Sequence, residues 1–377
     1  MQKLLISLLL SFLLSVSVKS QVNGSFIFDG ISRSWIVYLP QNYNTGDSFP
    51  LLLALHGLTQ TGQAMMNFSG FNSIADTGNF IVAYPNGVGN AWNVGFSGGS
   101  TADDAGFISA LIDTLHQNYN INLNRVYATG FSNGGFLSYR LACELGGRIA
   151  AIAPVAGTMT DGAYNLCSPE RQMPVLHIHG TSDFVVSYNG GFGNKSVDQV
   201  LGFWNNYNNC PGIPLVEDLP DLVAEGSTVK RYSWSPCDKS SEAMLLKIIN
   251  GGHTWPGSVG VTGIGITNRD ISASGEIWKF VSRFSLEPTT GVKQMYPDKI
   301  LVYPNPASGN LLVIESPGFL PGSVISIIAS DGKVVIARVI KQNSSRIVTD
   351  ITELIPGFYL AMITGSGKRI VTKFVIQ

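Results

Sequence analysis

The sequence predicts an α/β chain: a doubly wound, mostly parallel sheet over residues 21–286, then a small all-β sandwich over residues 298–377. Two observations predict it. Short runs apolar on both faces, such as residues 51–55 and 80–84, alternate with stripes of helical spacing and end in Gly-rich turns. That alternation builds parallel sheets. After Glu287-Pro288-Thr289-Thr290-Gly291 the helical stripes cease and only short β runs remain, so residues 287–297 read as a linker.

The elements follow in order. Residues 25–28 and 33–39 are two opening strands joined at Asp29-Gly30. Residues 51–55 stop at His56-Gly57-Leu58-Thr59-Gln60, and residues 80–84 stop at Pro85-Asn86-Gly87. Phe107, Ile108, Leu111, Ile112 and Leu115 form a helical stripe, and Asp103 and Asp104 before it suit a helix N-terminus better than a metal site. Further strands are expected at 126–130, 149–155, 174–179, 229–234 and 243–249, with helices at 136–145, 197–207 and 274–284. In the tail, β runs recur from Ile300 to Ile376, with turn signals at Asp331-Gly332 and Gly365-Ser366-Gly367.

Composition narrows the setting. The 377 residues are 45% hydrophobic but only 13% charged, and the net charge is -1. That balance offers no electrostatic footing for nucleic acid or an anionic membrane. Residues 1–20 read as a signal peptide, with Lys3, an apolar stretch over 4–16 and a small-residue cleavage site before Gln21. The stretch is shorter than a bilayer span, so export without membrane insertion is expected, to the medium or the cell surface. Export makes the four cysteines disulfide candidates. Cys143 with Cys167 and Cys210 with Cys237 are the favoured pairs, because each joins segments near in sequence. No His/Cys spacing suggests a metal, and no motif calls for a cofactor.

The chemistry centres on Gly130-Phe131-Ser132-Asn133-Gly134-Gly135. Gly-x-Ser-x-Gly between a strand and a helix is the pattern of a nucleophile elbow, although five residues alone also fit an ordinary Gly/Ser loop. A serine hydroxyl needs a base, and the base an orienting acid, in the chain order Ser, Asp or Glu, His. After Ser132 the strand-end acid is Asp183, and the histidine that follows is His253. His177 and His179 alternate on one strand and read as structural; His116 lies late in a helix; His56 precedes the serine and shapes a turn. The oxyanion needs two N–H donors. Asn133 is one, and Leu58 the other, with Thr59 as the near alternative. Trp92 and Trp255 are candidates for the wall of a substrate pocket, with core packing as the competing reading.

These motifs, with Leu55-His56-Gly57, Trp92-Asn93, Asp104-x-Gly106-Phe107, His179-Gly180-Thr181-x-Asp183 and Gly252-His253-Thr254-Trp255-Pro256-Gly257, resemble the secreted poly(3-hydroxybutyrate) depolymerase-like esterases and the allied feruloyl and acetylxylan esterases of carbohydrate esterase family one. The resemblance implies an α/β-hydrolase fold, metal-free ester hydrolysis, and Ser132, Asp183 and His253 as the triad. It implies a substrate that is a polysaccharide-linked ester, feruloyl or acetyl, or else a polyester of the poly(3-hydroxybutyrate) kind. A non-catalytic surface-binding protein on the same fold is the contrasting class. Many members carry Cys where Leu58 stands, which bears on local pocket shape. The tail, with Tyr303-Pro304-Asn305-Pro306-Ala307, Asp331-Gly332-Lys333 and Leu354-x-Pro356-Gly357-x-Tyr359, resembles the C-terminal sorting domain of type IX secretion. That resemblance implies the type IX machinery as a partner and export across the outer membrane.

Overall fold

A computed structural model describes residues 20–286 apart from 97–98, 192 and 259–262, and residues 301–377 apart from 320–322, 341–343 and 366–367. The expected signal segment up to residue 19 and the expected linker lie outside the described residues. The chain divides into two compact units, Met1–Leu286 and Glu287–Gln377.

The first unit runs β1 (Gln21–Phe28), β2 (Ile31–Tyr38), β3 (Phe49–Leu55), α1 (Gly62–Ser69), α2 (Phe71–Gly78), β4 (Ile81–Pro85), α3 (Asp104–Tyr119), β5 (Ile121–Phe131) and α4 (Asn133–Glu144). It continues with β6 (Ala151–Val155), α5 (Asp161–Leu166), β7 (Val175–Gly180), α6 (Val197–Tyr207), β8 (Leu215–Asp218), β9 (Thr228–Trp234), β10 (Ala243–Ile249) and α7 (Ala273–Val281). The strands form one sheet in the order β1-β2-β4-β3-β5-β6-β7-β10-β9-β8. From β4 to β10 every pairing is parallel, and antiparallel strands close both edges. This is the arrangement of an α/β hydrolase.

Burial explains the sheet's position. All seven residues of β3 are buried. Leu51, Leu53 and Leu55 pack into one core with side chains of α3, α4 and α6, while Leu52 and Ala54 pack into the other with α1, α2 and α7. Alternate residues of one strand therefore serve two helical layers, which is why the run is apolar throughout. Local signals start the helices: Asp103 accepts the Gly106 N–H at the head of α3, and Ser196 and Gln199 form a capping box on α6. At the hairpin between β1 and β2, Asp29 and Gly30 both take positive φ, 49° and 73°, as a primed turn requires. Both expected disulfides are present, Cys143–Cys167 between α4 and the end of α5, and Cys210–Cys237 between the segments after α6 and before β10.

The second unit consists of β11 (Leu301–Tyr303), β12 (Leu311–Phe319), β13 (Val324–Ala329), β14 (Val334–Val339), β15 (Ser344–Asp350), β16 (Gly357–Gly365) and β17 (Lys368–Ile376). They form two antiparallel sheets, β11-β12-β15 and β14-β13-β16-β17. One core joins the sheets, with Leu312 and Ile314 from the first and Ile325, Ile327, Tyr359, Ala361, Ile363 and Phe374 from the second. Spacing of two along β13 and β16 is the alternation a sandwich needs.

Candidate active site

The parallel strands end on one side of the sheet, and the sequence-predicted site residues lie at those ends. β5 stops at Phe131 and α4 begins at Asn133, leaving Ser132 between them with φ 53° and ψ -115°. A side chain in that region costs on the order of 1–3 kcal/mol, so the surroundings must enforce it. They do so through backbone bonds: the Ser132 N–H donates to Val155 O at 2.9 Å, and Ser132 O accepts from Phe136 at 3.0 Å. The glycines permit the turn. A Cβ on Gly130 would stand 2.4 Å from the Gly134 carbonyl carbon, and one on Gly134 would stand 2.2 Å from Leu55 O. Gly157 serves the same end: its Cβ would meet Ser132 O at 2.4 Å. No local pattern in the sequence singles out Gly157, because its neighbour across the gap is in another element.

Asp183 follows β7 and His253 follows β10, two adjacent parallel strands. Their loops are tied together, with the Thr181 N–H on Ile248 O and the Ser182 N–H on Gly251 O. Gly180 allows that approach, since a Cβ there would lie 2.2 Å from Gly251 O. Asp183 Oδ1 accepts the N–H groups of Val185 and Val186 at 2.9 and 2.8 Å, which aims Oδ2 at His253 Nδ1, 2.7 Å away. Both side chains are buried. Burial raises the Asp183 pKa, but hydrogen bonds from His179 and His253 and their charge outweigh it, holding the carboxyl well below its usual range. An ionised carboxylate only accepts, so His253 Nδ1 carries the hydrogen. In neutral His253 that leaves Nε2 as the proton acceptor. The imidazole packs on Phe131, the residue before Ser132, with ring centroids 4.8 Å apart, and its backbone bridges to Ile264 in both directions. Asp183 and His253 thus meet directly, and the imidazole lies against the side chain of the residue that precedes Ser132.

The turn after β3 separates the two oxyanion candidates. Thr59 takes φ 64° and its N–H donates to Asn90 O at 2.8 Å. Among the described residues the Leu58 N–H has no partner. His56 is buried at this turn, with Nδ1 donating to Gly57 O at 2.7 Å and Nε2 accepting the Gly87 N–H at 3.0 Å. Burial lowers its pKa to about 4, so it sits there neutral. The backbone N–H of Asn133 opens α4, where the first turn has no intrahelical acceptors.

Trp92 and Trp255 are the correction. Each is only 1% exposed, with its indole N–H bonded inside the fold, Trp92 to His56 O and Trp255 to Ser274 Oγ. Trp255 packs edge-on against Phe68 and Phe71. Both lie beneath the site and offer no open face. The remaining histidines are structural. Tyr139, His177 and His179 form a buried chain that ends with His179 Nε2 on Val186 O at 2.8 Å, and His116 Nδ1 bonds Ile121 O. Asp104 pairs with Arg33, both buried, and accepts the Asn93 N–H at 2.6 Å. The spacing to Asp183 in His179-x-x-x-Asp183 was the available sign that His179 also neighbours the acid, at 3.4 Å.

Comparison with known proteins places two stretches of the chain beside described families. Residues 30–190 match the family described as "Putative esterase", and residues 301–377 match the "Secretion system C-terminal sorting domain". The chain is 32% identical over 264 residues to the bifunctional acetylxylan esterase/xylanase XynS20E of Neocallimastix patriciarum, covering 68% of this chain and 34% of that protein. It is 30% identical over 272 residues to feruloyl esterase B of Piromyces equi, covering 67% of this chain and 46% of that one. It therefore spans less than half the length of either relative. A solved acetyl xylan esterase from Aspergillus awamori aligns over 66% of this chain and 94% of its own, at 15% identity and a TM-score of 0.46. Residues 30–190 thus carry the match to an esterase family, and residues 301–377 the match to the secretion-system C-terminal sorting domains.

Proposed function

We propose that the protein is an exported serine esterase acting on feruloyl or acetyl esters of plant cell-wall polysaccharide. One observation carries the serine mechanism: Ser132 is held at positive φ at the head of α4, while His253, packed on Phe131, has its Nδ1 committed to buried Asp183. Ser132 Oγ attacks the ester carbonyl as His253 Nε2 takes its proton. The N–H groups of Asn133 and Leu58 receive the oxyanion, and the positive end of the α4 dipole favours it. Collapse expels the alcohol, which takes the proton from His253. Water, deprotonated by His253, then releases the acid and restores Ser132.

The substrate class rests on the relatives named acetylxylan and feruloyl esterases. Exposed apolar side chains beside the site support an aromatic acyl group. Leu58 is 57% exposed, Phe184, next to Asp183, 69%, and Ile264, bridged to His253, 53%. Large apolar groups left in water beside a reactive centre suit a ring better than a methyl group. Assays on methyl ferulate, acetylated xylan and poly(3-hydroxybutyrate), run side by side, test this. The expected order places methyl ferulate first in kcat/KM; activity confined to the polyester would overturn the substrate class.

The signal segment and the sorting domain support a two-step export to the medium or cell surface. In the producing bacterium, a chain ending at Leu286 should stay inside the outer membrane with its esterase activity intact. Unchanged secretion of that chain would reject the sorting role.

A further inference from the structure

The two N–H groups assigned to the oxyanion come from different strands, and a buried indole joins them. Leu58 follows β3 and Asn133 follows β5; the two strands are adjacent, with Leu55 opposite Gly130. On one side the elements touch, because Gly134 lies so close to the Leu55 and His56 carbonyls that a Cβ would meet them at 2.2 and 2.7 Å. On the other side they are bridged by the loop that carries Trp92. Asn133 grips this loop with its side chain: Oδ1 accepts the Trp92 N–H at 2.6 Å and Nδ2 donates to Trp92 O at 3.3 Å. The indole Nε1 of Trp92 then donates to His56 O at 2.9 Å, and the indole lies over the His56 ring at 4.7 Å. Two further bonds fasten the same loop to the turn, from Gly87 N–H to His56 Nε2 and from Thr59 N–H to Asn90 O. Its far end is held by Asp104, which accepts the Asn93 N–H, and by Arg140, which donates to Asn93 O at 2.7 Å.

We infer that Trp92 is a positioning residue that sets the separation and aim of the Leu58 and Asn133 N–H groups, joining the two halves of the oxyanion site through its backbone on one side and its indole N–H on the other. The inference rests on the serine-esterase reading above. Only donors placed for the developing oxyanion accelerate the step, and small displacements of such donors act on the transition state and not on the bound substrate. The ties are buried, where hydrogen bonds are stronger and more directional than in water. The Asn133 side chain, bonded to Trp92 through both its oxygen and its nitrogen, is committed to this bridge, which leaves its backbone N–H for the role proposed above.

Trp92→Phe keeps the ring and deletes the bond to His56 O. On p-nitrophenyl acetate at 25 °C it should lower kcat by about 10- to 100-fold, the scale of a misplaced reacting group, with KM within about twofold. Affinity for phenylboronic acid, which forms a tetrahedral adduct on the serine, should fall by the same factor as kcat. Asn133→Ala cuts the other half of the bridge and should give the same split. The double variant should be little worse than either single one, because both break one linkage. A folded Trp92→Phe protein with a lowered Tm but wild-type kcat and boronate affinity would make Trp92 merely structural and overturn the inference. If Trp92→Phe does not fold, Asn133→Ala decides on the same two readouts. Ser132→Ala separates the levels: an inactive Ser132→Ala beside a fully active Trp92→Phe overturns this inference alone, whereas a fully active Ser132→Ala overturns the serine mechanism beneath it.

Discussion

Asp183 Oδ2 lies 2.7 Å from His253 Nδ1, and the other carboxylate oxygen is already occupied by the N–H groups of Val185 and Val186. The carboxylate therefore cannot rotate to offer a different oxygen without losing two backbone bonds. Asp183→Asn would present an amide that can donate as well as accept, and would favour the His253 tautomer with hydrogen on Nε2. We expect kcat/KM to fall by about 10³- to 10⁴-fold with the fold retained, the scale known for this change in a serine protease triad. A loss under tenfold, measured on p-nitrophenyl acetate, would show that Asp183 does not orient the base.

Ser132 carries backbone strain that glycine would not. With φ 53° and ψ -115°, Ser132→Gly should abolish activity and raise unfolding free energy by about 1 kcal/mol in urea titration. Lower stability than the wild type would mean that the serine side chain contributes more packing than its backbone loses.

Gly134 is constrained from the opposite direction. Its hypothetical Cβ falls 2.2 Å from Leu55 O, a backbone atom that cannot swing aside. Gly134→Ala should cost about 1–3 kcal/mol and depress kcat by parting α4 from the turn after β3. Wild-type Tm and kcat would contradict the close approach.

Acid should weaken the fold before it reaches the carboxylates. His56 has its pKa lowered to about 4, and His177 is lowered well below its usual value, in both cases chiefly by burial. Unfolded, each takes a proton below about pH 6.5. The unfolded state then binds more protons than the native one, so stability is present in full above that pH and falls as pH drops. Between pH 7 and 5 the expected loss is about 2 kcal/mol from His56, and His177 adds a loss of the same sign. Asp183, with its pKa depressed, adds stability above its unfolded value of about 4 and loses it only at still lower pH. Urea midpoints that stay level from pH 7 to 5 would contradict the burial of these two rings.

The disulfide Cys143–Cys167 closes a separation of 24 residues and pins the short helix α5 to α4. Replacing both cysteines by alanine should cost about 3 kcal/mol by the loop-entropy relation. An unchanged Tm for the double variant would show that α5 is held by other contacts.

Much of this architecture is legible in the residues themselves. β3 and β4 announce themselves because strands buried on both faces must be apolar throughout. The order Ser132, Asp183, His253 is legible because each sits where an apolar run ends in a turn. Other parts are not. α1 and α2 are eight residues each, separated only by Gly70, and rich in Gly, Asn and Ser, so neither shows a sustained stripe. β8 is exposed at all four positions, an edge strand with no buried face to leave a pattern. A tryptophan near a site can face outward or lie beneath it with equal ease in sequence. Trp92 declares its place only through its partners, Asn133 and His56, which lie 41 and 36 positions away. Leu58 and Thr59 are likewise separated by one long-range bond, from the Thr59 N–H to Asn90 O.

The rate of p-nitrophenyl acetate hydrolysis by the wild type and by Ser132→Ala, each purified and shown to be folded, tests the serine mechanism most directly. The expected result is turnover by the wild type and a loss on the order of 10⁶-fold, to background, in the variant. Equal rates in the two proteins, or no turnover in either on this ester and on methyl ferulate, would contradict it.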